Sequence, residues 1–175
     1  LGGGAHKYLD EPKPNLLMKS LQETKITMTM APPVLLRAAV DHFSDISCYL
    51  PHLRIFICGG APVPYELLKA ASETMKHTTM VQGYGMTETS PIISFLNLRY
   101  ANKEKSSSAL LSSGKPLAGV ETKLCDKNVD GVGELAVRGP SIFSGYDNGT
   151  DEVQGLFEDG WFRTGDMASF DEDGY

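Results

Sequence analysis

Apolar positions in the first 111 residues recur in two rhythms that take turns. Pro14 can open a helix at its first turn, and Leu16, Leu17 and Leu21 follow at helical spacing. A short strand is expected from Ile26 to Met30, closed by Pro32-Pro33, and Val34, Leu35, Ala38 and Ala39 lie one turn apart in a second helix. Leu53 to Cys58 is a compact apolar run ended by Gly59-Gly60. A third helix is expected from Pro64 through Met75, with Leu67, Leu68 and Ala71 on one face. Thr78 to Gln82 reads as a further strand stopped by Gly83. Strands alternating with helices predict a mostly parallel α/β sheet with flanking helices over 1–111.

The rhythm changes after residue 112. Glu121 to Asp126 and Glu134 to Arg138 are short strands separated by a loop with Asp130-Gly131, and Asp173-Gly174 is a second turn signal. With no helical period here, 112–175 reads as a small antiparallel, barrel-like β unit. The polar, Ser-rich stretch Asn97 to Ser113 is the expected boundary. The chain begins at Leu1 rather than a methionine and ends one residue beyond a turn signal. A returning strand is therefore expected beyond Tyr175, and the chain reads as an internal piece of a longer protein.

Composition narrows the classes. The 175 residues are 41% apolar and 22% charged, as in globular domains. No apolar run reaches the ~18 to 20 residues of a bilayer span, and the Gly-rich start has no signal-peptide core. Sixteen Lys and Arg against 22 Asp and Glu leave a net charge of −6, which argues against a nucleic-acid partner. Cys48, Cys58 and Cys125 form neither a disulfide framework nor a CxxC motif. Reduced thiols in the cytoplasm are expected. The histidines never pair at i,i+4; His6 with Asp10 and His77 with Glu73 have that spacing, but two ligands do not make a zinc site.

The most informative segment is Thr79-Met80-Val81-Gln82-Gly83-Tyr84-Gly85-Met86-Thr87-Glu88-Thr89-Ser90-Pro91. Glycines on both sides of Tyr84 allow close approach of the backbone to a ligand. Tyr84 offers a flat face for a purine, and Thr87 a hydroxyl for a phosphate oxygen. Glu88 is the type of group that holds Mg²⁺, which favours one or two carboxylates plus substrate phosphates. The plain alternative is a polar loop ending a strand. A GxGxxG loop begun at Gly83 would need glycine where Glu88 stands, and no GxxxxGK[ST] or GxSxG stretch occurs.

Cys58-Gly59-Gly60-Ala61-Pro62 puts small residues after a strand, where open α/β sheets bind ligands, or else makes a tight turn. Trp161-Phe162-Arg163-Thr164-Gly165-Asp166 ends on a carboxylate suited to a ribose diol, or on a surface turn. Glu134 and Arg138 share a strand face, where a solvated ion pair is the plain reading. Met75, Met80 and Met86 read as packing residues, and the sequon Asn148-Gly149-Thr150 as chance.

Four motifs stand in order: Gly59-Gly60-Ala61-Pro62, Gln82 to Glu88, Gly133-Glu134-Leu135 through Gly145-Tyr146, and Trp161 to Asp166. Together they resemble the adenylate-forming (AMP-binding) superfamily, which includes acyl-CoA synthetases, firefly luciferase and peptide-synthetase adenylation domains. The resemblance covers essentially the whole chain and implies part of that superfamily's large N-terminal domain. It implies a ligase that joins a carboxylic acid to ATP as an acyl-adenylate, then passes the acyl group to coenzyme A.

Gly60, Ala61 and Pro62 would line the adenine and acyl pocket. Tyr84 would stack on adenine, with Gly83, Gly85 and Met86 shaping the wall. Thr87 would touch phosphate, Glu88 would bind Mg²⁺, and Asp166 would hold the ribose hydroxyls. Thr87 and Glu88 are thus the expected catalytic pair. The family's lysine-bearing phosphate loop is expected upstream of Leu1, and its hinge and catalytic lysine beyond Tyr175, so the chain alone is expected to be inactive. Met86, where peptide synthetases usually carry proline, is similar to acyl-CoA synthetases and the coumarate-CoA ligase group; a fatty or medium-chain acyl-CoA synthetase is expected, with an aryl-acid (coumarate-type) CoA ligase as the alternative. A non-catalytic nucleotide-binding relic or a bare structural α/β domain is the competing class.

Overall fold

A computed structural model describes residues 4–44, 50–98, 111–147 and 157–175. Cys48, the sequon at Asn148 and most of the Ser-rich stretch lie outside the described residues. The chain divides into two compact units, Leu1–Val81 and Gln82–Tyr175. This division precedes the compositional change near 112.

In the first unit α1 (Pro14–Glu23) starts with proline in its first turn, where no intrahelical N–H is missed. It ends where the backbone N–H and hydroxyl of Thr24 both donate to the Ser20 carbonyl, at 3.1 and 2.6 Å. Strand β1 (Met28–Ala31) follows, then α2 (Pro33–Ser44), β2 (Ile55–Gly59) and α3 (Tyr65–Thr74). Helix α2 packs on α1, α3 and β2. Its inward stripe is Leu35, Leu36, Ala39, Val40 and Phe43, whereas Val34 is 70% exposed. The expected face is therefore rotated by one position, because Leu36 and Phe43 complete a wider stripe than Val34 could. Leu67, Leu68 and Ala71 of α3 are buried as expected. Strands β1 and β2 pair in parallel, Met28 opposite Ile55 through Ala31 opposite Cys58. Burial pushes the Cys58 thiol up to about 11, so it is a protonated packing group at neutral pH.

Strand β3 (Thr79–Tyr84) carries the chain from the first unit into the second. It does not stop at Gly83, which is buried inside it. A glycine in a strand weakens it but removes no ladder hydrogen bond, so the strand runs on. Strands β4 (Ser94–Asn97) and β5 (Lys115–Pro116) pair antiparallel and complete a mixed five-stranded sheet in the order β1-β2-β3-β4-β5. The other sheet is antiparallel throughout: β6 (Glu121–Cys125), β7 (Gly133–Arg138), β8 (Phe157–Glu158) and β9 (Trp161–Ala168), in the order β6-β7-β9-β8. Both glycine turns form, with Gly131 and Gly174 in left-handed backbone at φ 77° and 79°. The expected fold class therefore holds, a sheet with flanking helices followed by a small antiparallel β unit. The segment from Trp161, read as a possible surface turn, is instead the longest strand of that unit.

The second unit's core is Ile93, Leu135, Val137 and Phe162, with Tyr84, Met86, Phe143 and Phe157 packed against it. Phe143, Phe157 and Phe162 meet in tilted and edge-to-face pairs at 5.2 to 5.7 Å. Arg138 pairs with Glu121 across the strands and lies over the Trp161 ring. The solvated ion pair thus forms, but with the cross-strand partner rather than with Glu134 on its own strand. Both groups are exposed, so it adds little stability. Emptying the aromatic core costs far more. Phe162→Ala is expected to lower stability by ~3–5 kcal/mol. Val129→Ala, at a fully exposed position, should stay within ~0.5 kcal/mol in the same denaturant titration.

Candidate functional site

The loop after β3 is held shut by its own backbone. The Ile93 N–H donates to the Tyr84 carbonyl at 2.8 Å, so the chain leaves at Tyr84 and returns beside it. Gly85 sits in the pinch, where a Cβ would overlap the Pro91 carbonyl. Within the loop Thr87–Thr89 form one 3₁₀ turn. The buried Thr89 hydroxyl oxygen accepts the Met86 N–H at 2.9 Å and lies 2.9 Å from the Met86 carbonyl, which locks the turn. Thr87 is exposed and Glu88 half-buried.

Two tyrosine–carboxylate pairs form on this loop. The Tyr84 hydroxyl donates to Asp166 Oδ2 at 2.6 Å. Burial first, then that bond, raise the Tyr84 phenol far above its ordinary value, so it stays a donor at any physiological pH. The Tyr146 hydroxyl donates to Glu88 Oε1 at 2.5 Å. That bond holds the Glu88 carboxyl below its usual range and raises the phenol of Tyr146. The Phe143 N–H donates to the Glu88 carbonyl at 2.9 Å, which fastens this segment to the loop once more, and the Phe143 ring stands edge-on to Tyr146 at 5.0 Å.

Asp166 reaches Tyr84 through an irregularity in the sheet. Glu134 pairs with Met167 and Ala136 with Arg163, so β9 spends two more residues than β7 between the same rungs. Thr164, Gly165 and Asp166 bulge out there, with Gly165 left-handed at φ 78°. The Thr164 hydroxyl donates to the Leu135 carbonyl at 2.8 Å and accepts the Asp166 N–H at 3.1 Å.

Gly83, Tyr84, Gly85, Met86, Thr87, Glu88 and Asp166 are thus gathered in the second unit. Gly60, Ala61 and Pro62 lie exposed at the end of β2 in the first unit, with Gly60 left-handed at φ 83°. Sequence reasoning gave Tyr146 no role. Its position inside a quoted motif was the only signal, since nothing in the spacing pairs residues 88 and 146. Among the described residues no cluster of three or more His, Cys, Asp or Glu can hold a metal. The donor set therefore fits only an ion that takes one carboxylate and draws its other ligands from water or phosphate, as Mg²⁺ does. No described helix is long and apolar enough to cross a membrane.

A group whose folded pKa is depressed contributes stability above its ordinary pKa and loses it as pH falls through the lowered value. Tyr146→Phe removes the donor to Glu88. A ¹³C titration of the carboxyl should then move the Glu88 pKa up toward the usual 4.5. An unmoved pKa would mean the bond does not form in solution.

The family model for AMP-binding enzymes matches residues 1–147. The chain is 32% identical to a feruloyl-CoA synthase of Amycolatopsis over 93% of its length. It spans about a third of the curated relatives it matches, 33% in that case. Among solved structures it resembles the amide bond synthetase McbA of Marinactinospora thermotolerans (TM-score 0.80, 29% identity, 95% of this chain and 34% of that one). It also resembles the o-succinylbenzoate coenzyme A synthetase of Bacillus subtilis in complex with ATP and magnesium (TM-score 0.75, 28% identity, 93% and 33%). With the family model matched over residues 1–147, most of its length, the chain belongs to the AMP-binding enzyme family.

Proposed function

We propose that the protein carrying this chain is an AMP-forming acid–thiol ligase: it activates a carboxylic acid with ATP and transfers it to coenzyme A. The observation that carries this reading is the pairing of Tyr84, where the loop with Glu88 begins, with Asp166 of the β9 bulge at 2.6 Å. A half-buried aromatic ring suits a purine, and a carboxylate beside it suits the ribose diol of the same nucleoside. Glu88 by itself would repel a triphosphate. A Mg²⁺ held by Glu88 would neutralise that charge and withdraw electrons from the phosphates. Thr87, exposed one residue earlier, would donate to a phosphate oxygen, while Gly83, Gly85 and Met86 would form the wall about the base. Gly60, Ala61 and Pro62 are assigned to the acyl and adenine pocket on the motif alone. These groups act by positioning and by stabilising charge, which is what displacement at the α-phosphate requires.

For the acid, the names of the relatives favour an aromatic substrate: feruloyl in one and o-succinylbenzoate in another. The expected fatty acid is the competing assignment. In ATP–pyrophosphate exchange on the full-length protein, cinnamic and benzoic acids should stimulate exchange more than C8 to C16 fatty acids. The reverse order would restore the fatty-acid assignment, and no exchange with either set would support the non-catalytic relic. The 175-residue chain alone should form no acyl-adenylate, and its detection would contradict the expected need for lysines outside it. Asp166→Ala in the full-length protein should weaken ATP binding in calorimetry by ~1.5–3 kcal/mol, as for the loss of a charge-assisted hydrogen bond. Unchanged affinity would remove Asp166 from the site.

A further inference from the structure

The bulge of β9 is held only in part by its own Thr164. Its apex is Gly165, whose N–H has no rung partner on β7, and that N–H donates to Glu134 Oε1 at 3.1 Å. The other oxygen of the same carboxylate, Glu134 Oε2, accepts from Arg163 Nε at 2.8 Å and Nη2 at 2.5 Å. One side chain on β7 therefore grips β9 on both sides of Thr164. Arg163 is turned toward it by two further carboxylates, Asp126 at 2.6 Å and Glu158 at 3.1 Å. Those two are mostly exposed, at 79% and 61%, whereas the Arg163 and Glu134 side chains are 24% and 23% exposed. The shielded pair, with two Arg163 nitrogens on one carboxylate oxygen, is the one with the geometry to set a position.

We infer that Glu134 and Arg163 are positioning residues: together they clamp the Thr164–Asp166 bulge and thereby aim the Asp166 carboxylate at the nucleotide ribose. This rests on the reading of Asp166 as the ribose acceptor. The hydrogen bonds of Glu134 and Arg163 go to each other, to the Gly165 N–H and to the carboxylates of Asp126 and Glu158. Their effect passes through the backbone, because the Gly165 N–H that Glu134 holds is one peptide from Asp166. A one-residue slip of the bulge would turn Asp166 to the other face of the strand. Without the clamp, Gly165 keeps an unpaired N–H and Arg163 loses its Glu134 acceptor, so of the side-chain restraints on the register only the Thr164 hydroxyl on the Leu135 carbonyl is left.

The test separates aiming from mere stability. Binding of ATP and of 2′,3′-dideoxyadenosine triphosphate to the full-length protein is measured by calorimetry, and the ratio of the two affinities reports the ribose contact alone. Asp166→Ala should lower the ratio by about tenfold or more. Glu134→Gln, which keeps an acceptor for Gly165 but not the charge that holds Arg163, should lower it severalfold and leave dideoxy binding unchanged. Arg163→Lys gives a second route if Glu134→Gln does not fold, and it should lower the ratio in the same direction. Glu121→Gln breaks an ion pair of the same sheet away from the bulge and should leave the ratio intact. If Asp166→Ala lowers the ratio and both clamp variants keep it at the parent value, the clamp is overturned. The same holds if Glu121→Gln lowers it equally, because the effect would then be general loosening of the sheet. A flat ratio in Asp166→Ala itself overturns the ribose reading instead.

Discussion

Between one pair of rungs β9 has two more residues than β7, and what the second unit does at its site depends on how that excess is absorbed. A regular antiparallel ladder would bury or expose every second side chain and leave Asp166 on a plain strand face. The excess instead forms a bulge at Thr164, Gly165 and Asp166. Its polar groups are met one by one: by the Leu135 carbonyl, by the Thr164 hydroxyl and by Glu134. The glycine supplies the left-handed turn without a side-chain clash.

Around this irregular point the packing is regular. Ile93, Leu135, Val137 and Phe162 bury the inner face of the sheet, and three phenylalanine rings bind it to the segment that carries Tyr146. The hydrophobic terms fix where the strands lie, since each buried aromatic contributes more than any exposed ion pair here. The polar terms decide something smaller and more specific, namely which way two carboxylates point. Each carboxylate takes a tyrosine hydroxyl, Asp166 from Tyr84 and Glu88 from Tyr146. A neutral donor orients a carboxylate without cancelling its charge, so both remain available as acceptors for a ligand's hydroxyls or cation.

Much of this was legible in the sequence, for physical reasons that differ by residue. The helices over Leu17, Leu36 and Leu67 announced themselves because a buried stripe repeats at helical period. Glycine misled at Gly83, since its freedom permits a break without requiring one. Val34 misled because an apolar residue on a short helix fits either side of the stripe. Tyr84, Glu88 and Asp166 were legible as a motif, but their meeting was not. Residues 84 and 166 lie in different sheets, and their contact follows from the packing of Tyr84 against the second unit's core and from a bulge set by pairing with a distant strand. Glu134 was read as half of an ion pair along its own strand. Its partner, Arg163, is across the sheet, where pairing depends on register.

The central claim is that Tyr84 and Asp166 form one nucleoside site beside Glu88. A crystal structure of the full-length protein with bound AMP tests it most directly. The account predicts adenine against the Tyr84 ring and the ribose hydroxyls on the Asp166 carboxylate, with the Thr164–Asp166 bulge unchanged. AMP bound elsewhere, or bound with its ribose turned away from Asp166, would contradict it.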